Sequence, residues 1–171
     1  MTFLRIRAGY EWLLEAIVFL LMAALALEVI VGVIFRSFGE SLVWYDEVAS
    51  ILLAWLTYYG AALAAHKRAH IGFSGLVDSL RPALRVPAVL FAEACVLGFF
   101  VLTAWVGWSI MEVLATDYLV SLPEISVNYT QSAIPIGAVL FIIAQILNLP
   151  QVLAEARNPG MVRELLPEIN P

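Results

Sequence analysis

The sequence predicts an all-α integral membrane protein with four transmembrane helices, and composition and the spacing of apolar residues both indicate this. Of the 171 residues, 63% are hydrophobic and only 13% are charged, so polar surface is too scarce to cover a water-soluble globule of this size. The mean hydropathy is +0.93, and the apolar residues form blocks long enough to cross a bilayer. We therefore expect one membrane domain over residues 1–171.

Four apolar blocks define the expected spans. The first follows Arg5 and Arg7, as a secretory signal would, but its apolar run continues far beyond Ala26 and predicts an uncleaved anchor. Pro135 lies early in the last span, where it removes a backbone donor and predicts a kink. The predicted spans cover about residues 12–35, 48–65, 87–111 and 130–149.

The distribution of basic residues predicts the orientation. Of the nine Lys and Arg side chains, only Arg36 lies in a loop on the side opposite both termini. By the positive-inside rule, the amino terminus, the carboxyl terminus and the middle loop are cytoplasmic, and the loops around Glu40 and Glu124 face outward.

Two further segments are expected on the cytoplasmic side. Apolar residues recur at helical spacing between spans two and three, which predicts an amphipathic interfacial helix at about residues 73–84. The tail, residues 151–171, is predicted to form a short amphipathic turn followed by disorder.

Several chemistries are excluded or disfavoured by what the sequence contains. Cys95 is the single cysteine, so one chain can form neither a disulfide nor a cysteine-rich metal site. No phosphate-binding GxxxxGK[ST] loop occurs, and the net charge of −5 argues against a nucleic-acid partner. His66 and His70 share a helical face, but no third ligand lies near them in the sequence. We expect no enzymatic activity, no metal and no cofactor.

Polar residues inside the spans are the candidates for function. Glu28 and Glu93 are the two buried ionisable residues, and they are expected at different depths, so they do not form a carboxylate pair. Each is either neutralised by a proton or a hydrogen bond from a neighbouring helix, or part of a coupling-ion site. Gln145 and Asn148 on span four are candidates for hydrogen bonds across helices, and the alternative is that either marks the approach to the lipid headgroups.

Several short motifs resemble one membrane-protein family. Trp44-Tyr45-Asp46-Glu47 opens span two, which continues through Gly60-Ala61-Ala62 to His66-Lys67-Arg68-Ala69-His70-Ile71. Pro135-Ile136-Gly137 begins span four. This combination resembles the small membrane subunits of TRAP (tripartite ATP-independent periplasmic) transporters, the DctQ-like family.

The resemblance implies a multi-pass subunit of the bacterial inner membrane that is not a transporter by itself. In such systems a periplasmic substrate-binding protein captures an organic acid anion, and a large membrane subunit imports it by sodium-coupled symport. The small subunit is a scaffold that braces the large subunit and helps to dock the binding protein. The implied partners are these two proteins and membrane lipids, and the transported acid is not encoded in this chain.

Candidate contacts with these partners follow from charge and placement. On the outer side they are Arg36, Glu40, Trp44, Asp46 and Glu47, with Asp117 and Glu124 second, and on the inner side His70. Helix capping and interfacial anchoring are the alternative roles for the same residues.

An autonomous small proton-coupled multidrug exporter is the competing hypothesis. Such proteins also have four spans and a glutamate in the first, as Glu28 is here. The long middle segment between spans two and three argues against this class, whose members have short loops.

Overall fold

The computed structural model describes residues 2–69 and 79–157, with the side chains of residues 2 and 3 left aside. It confirms the all-α class and contains four helices long and apolar enough to span a membrane. His70, the first half of the expected interfacial helix (residues 73–78) and residues 158–171 lie outside the described residues. The helices are α1 (Thr2–Ser37), α2 (Tyr45–His66), α3 (Pro82–Leu114), α4 (Val127–Gln131) and α5 (Ala133–Arg157).

The four long helices alternate in direction, which gives the molecule two ends. The terminal end holds the start of α1, the end of α2, the start of α3 and the end of α5. The loop end holds the α1–α2 connection, residues 38–44, and the segment that joins α3 to α4, residues 115–126. In the predicted orientation, the terminal end is cytoplasmic and the loop end faces outward.

All four spanning helices extend beyond their expected bounds at one end or both. α1 begins at Thr2, and its 36 residues reach about 54 Å at 1.5 Å per residue, well beyond a hydrocarbon core of roughly 30 Å. Its first turns are supported because Arg7, Glu11 and Glu15 all find partners on other elements. α3 begins at Pro82, a favourable first helical position for proline, so residues 82–84 belong to this helix.

The last span is interrupted rather than smoothly kinked. α4 ends at Gln131, Ser132 separates it from α5, and Pro135 falls in the first turn of α5, where its missing N–H costs least. At its other end, α5 passes through Pro150 and continues to Arg157, so residues 151–157 are helical.

The helix α5 is the centre of the bundle. It packs against α2 and α3, and α1 packs against α2 and reaches α5 through Tyr10 and Leu14. Small residues allow close approach: a Cβ on Gly137 would lie 2.7 Å from Tyr58 Cβ, and one on Gly107 would lie 3.2 Å from Pro135 Cδ. The buried core lies toward the terminal end and comprises Leu14, Ala62, Ala65, Phe141 and Ala144.

The outer helices leave most of their apolar surface uncovered. Gly107 is the one buried residue of α3, and the side chains of Phe91, Phe99 and Trp105 are exposed within the chain. α1 exposes large apolar side chains along most of its length. In a spanning helix, such surface is covered by lipid or by another membrane protein.

Candidate functional site

A polar cluster joins three helices at the terminal end. Lys67 donates a hydrogen bond to the Glu15 carboxylate, and its Nζ atom lies 3.4 Å from Glu11 Oε1. Arg68 donates to the Glu155 carboxylate on α5. These ion pairs fasten the residues that follow α2 to both α1 and α5.

Asn148 is the buried centre of this cluster. Its side-chain amide donates to the backbone oxygens of Ala65 (2.8 Å) and His66 (2.9 Å), two carbonyls in the last turn of α2. Its Oδ1 atom accepts from Arg7 Nη2 at 2.8 Å, and Arg7 also donates to Gln151. One amide side chain therefore connects α1, α2 and α5, as its position in span four predicts.

The end of α2 has an unusual backbone conformation. Arg68 has φ 54°, in the left-handed region, and its N–H donates to Ala65 O while the N–H of Ala69 donates to Ala64 O. This pair of bonds is a Schellman cap, in which glycine is the usual residue at the left-handed position. An arginine there pays a backbone cost and gains its bond to Glu155.

His66 is buried in the same cluster. Its side chain contacts the edge of the Tyr10 ring, with ring centroids 5.2 Å apart, and its Nε2 atom lies 4.0 Å from Glu11 Oε2. Within the part of the chain that the structure describes, no group of three His, Cys, Asp or Glu side chains could hold a metal ion. The second histidine of the motif, His70, is outside that part.

Lys67 lies just beyond the end of α2. Its hydrogen bond to Glu15 raises the pKa of its ammonium group above the ordinary value of 10.5, and Glu11 adds to the effect. The side chain is therefore a cation at neutral pH and remains one into alkaline solution.

The two carboxylates within the spans have different surroundings. Gln145 on α5 donates a hydrogen bond to Glu93 on α3. This is the hydrogen bond from a neighbouring helix that was one of the two expectations for a carboxylate inside a span. Both Glu28 carboxyl oxygens are buried and have no hydrogen-bond partner among the described residues. The structure thus separates Glu93 from Glu28 in chemistry as well as in depth.

At the loop end, Glu47 holds the segment of residues 115–126 against α2. Its carboxylate accepts from the N–H of Val120 (3.0 Å), from the N–H of Ser121 (2.8 Å) and from the Ser121 hydroxyl. The segment is closed on itself by bonds from Leu119 N to Ile125 O and from Val127 N to Asp117 O. Leu119 is buried, whereas the neighbouring Val120 is 94% exposed.

The other outer candidates stay on the surface of the loop end. Arg36, Glu40, Trp44 and Asp46 are exposed, and only Glu47 of the predicted set bonds to the facing segment. The sequence predicts that Glu47 lies at the start of a helix. It does not predict the hydrogen bonds from the backbone of Val120 and Ser121, because these residues lie more than 70 positions away.

Comparison with known protein families agrees with the membrane fold. A family model described as "Tripartite ATP-independent periplasmic transporters, DctQ component" matches residues 25–155, well over half of the chain. A search of curated proteins gave no match.

Proposed function

The chain belongs to the DctQ family of small TRAP transporter components, and we propose that it is the scaffold that braces the large membrane subunit. As a member of this family it is a transporter component of the inner membrane, in a class of proteins that are not enzymes.

The uncovered apolar surface of α3 is the observation that carries the bracing role. This 33-residue helix buries one residue, Gly107, within the chain, yet it is held firmly to α5 through Gly107 and the stacked rings of Phe100 and Phe141. A helix that is packed on one side and has an uncovered apolar face on the other is suited to pack against a second membrane protein.

The internal use of polar groups supports the same role. The basic residues Arg7, Lys67 and Arg68 at the terminal end all bond to side chains of this chain. Binding a carboxylate substrate at the bilayer midplane would call for Arg side chains or helix amino termini at that depth. We assign the substrate and coupling-ion sites to the large subunit.

The energy source and the substrate class are parts of the proposal. An ATP-independent transporter that concentrates its substrate must use an ion gradient, and we propose a sodium gradient that drives uptake of organic acid anions. Proteoliposomes containing both membrane subunits, supplied with the binding protein, should take up substrate under an inward sodium gradient and fail under a matched potassium gradient.

The loop end is the proposed contact for the binding protein. It carries the exposed acidic residues Glu40, Asp46, Asp117 and Glu124 and one basic residue, Arg36. Charge complementarity then favours a basic surface on the partner. Replacing Glu40 and Asp46 with lysine should weaken uptake when the concentration of the binding protein is limiting. Asp46→Asn, which removes one negative charge without adding a positive one, should weaken uptake less.

Affinity purification tests the subunit assignment directly. The chain, tagged at its carboxyl terminus and extracted in mild detergent, should bring down a much larger polytopic partner in constant stoichiometry. Recovery of the chain alone, together with proton-coupled transport by the chain alone in proteoliposomes, would instead support the exporter hypothesis and place Glu28 at its centre.

A further inference from the structure

A groove between α3 and the α4–α5 region has an upper part, near the loop end, that contains three polar side chains. This part has a volume of about 460 Å³ and lies between the last turns of α3 and the short helix α4. It is lined by Trp108, Ser109, Met111, Glu112, Ala115 and Asn128. It therefore offers a carboxylate, an amide and a hydroxyl close together at the end of a membrane span.

The lower part of the groove is apolar. It has a volume of about 270 Å³ and lies between α3 and the first half of α5. Its lining is Ala104, Trp108, Pro135, Ile136, Val139 and Leu140. The close approach of Gly107 to Pro135 brings the two helices together beside it.

The two parts form one surface along the membrane normal. Trp108 lines both of them, and Ala104, Trp108, Glu112 and Ala115 recur every three or four residues on one face of α3. From Ala104 to Glu112 the helix rises about 12 Å. The sequence predicts that the third span ends at about residue 111, so we expect Glu112 at the level of the membrane interface and Ala104 within the hydrocarbon layer.

This polarity profile is complementary to a phospholipid. A polar head would lie against Glu112 and Asn128, and an acyl chain would follow the apolar lining toward Leu140. Tryptophan at the junction is typical of the depth at which a lipid changes from head to tail.

The charge of the lining selects the headgroup. Neither part of the groove is lined by a Lys, Arg or His side chain, so the lining offers no cationic side chain to hold the phosphate of an anionic lipid. Glu112 is the one ionisable side chain in the lining. We propose that this groove binds a phospholipid whose headgroup carries a primary ammonium group, such as phosphatidylethanolamine, with the ammonium group donating to the Glu112 carboxylate.

Lipid competition in the purified transporter tests the headgroup preference. The full chain, with the large subunit that accompanies it, is equilibrated with phosphatidylethanolamine and phosphatidylglycerol of identical acyl chains, and retained lipid is counted by native mass spectrometry. We expect Glu112→Gln to lose one tightly retained phosphatidylethanolamine, and the control Glu124→Gln, which removes an equal charge from an outer loop, to keep it. Equal retention by wild type and Glu112→Gln, or equal loss in both variants, would overturn the proposal.

A second readout locates the acyl chain. Phosphatidylethanolamine with brominated acyl chains should quench the Trp108 component of fluorescence, measured as the difference between wild type and Trp108→Phe, several-fold more than brominated phosphatidylglycerol does. Glu112→Gln should remove that difference between headgroups. A photo-crosslinking residue at position 108 should capture lipid, and capture of the large subunit in its place would show that a protein helix fills the groove and would refute the lipid assignment.

Discussion

The two ends of the molecule are both held by polar groups, but they are held in different ways. At the terminal end, charged and amide side chains from α1, α2 and α5 bond to one another around the buried Asn148. At the loop end, the Glu47 carboxylate binds the backbone of a distant connecting segment. The terminal end therefore fixes how the helices pack, whereas the loop end fixes the shape of one exposed surface.

Asn148→Leu should give the largest effect, because it removes the centre of the terminal end. The carbonyls of Ala65 and His66 lose the side-chain donor, Ala65 O keeping only its bond from Arg68 N–H, and Arg7 loses an acceptor in a site that is 2% exposed. With cross-helix bonds in membranes averaging well under 2 kcal/mol each and buried unpaired groups costing more, we expect a loss of about 2 kcal/mol in unfolding free energy.

Thermal unfolding in mild detergent measures this change. Gln151→Leu is the matched control, because Gln151 is an exposed amide on the same helix and also accepts from Arg7. If both variants unfold at the same temperature as wild type, the terminal end does not determine helix packing and the contrast between the two ends fails.

Glu47→Gln should loosen the loop end without changing global stability much. The amide retains one acceptor oxygen but loses the charge that strengthens the bonds to Val120 and Ser121. We expect amide hydrogen exchange to speed up several-fold across residues 115–126 and to stay unchanged in α5. The adjacent exposed Asp46, changed to Asn, should leave exchange in that segment as it is.

The contrast also shows which features a sequence can predict. The four spans follow from uninterrupted apolar runs, and the cross-helix bonds of Gln145 and Asn148 follow from polar side chains inside such a run. The role of Glu47 does not, because it depends on how a loop folds back onto a side chain that precedes the bonded residue Ser121 by 74 positions. The early start of α1 was missed for a similar reason: its first turns carry charges whose partners belong to other helices.

Variants of Arg68 can separate two contributions to the stability of the terminal end: the free-energy cost of the left-handed backbone at this position and the gain from the ion pair with Glu155. Its left-handed conformation favours glycine, so Arg68→Gly should be more stable than Arg68→Ala by about 1 kcal/mol, although both lose the bond to Glu155. A double-mutant cycle in detergent, comparing wild type, Arg68→Ala, Glu155→Gln and the double variant, isolates the ion pair, which we expect to contribute less than 1 kcal/mol at this part-exposed position. Equal stability of the glycine and alanine variants would mean that the backbone at this position carries no strain.

Lys67 should give the smallest effect, because its side chain and that of Glu15 are both more than 40% exposed. Lys67→Met should lower the unfolding temperature slightly at low salt, and the difference from wild type should vanish at about 1 M salt, where screening acts within roughly 3 Å. Because the pKa of Lys67 is raised in the folded chain, its contribution is complete below the ordinary pKa of 10.5 and declines only as the pH rises through the higher folded value. The difference in unfolding temperature between Lys67→Met and wild type should therefore stay constant between pH 7 and 9.

Arg5→Met is the control, because it removes an equal charge from an exposed position at the same end. An equally large salt dependence in Arg5→Met would assign the effect to net charge and not to the bond with Glu15.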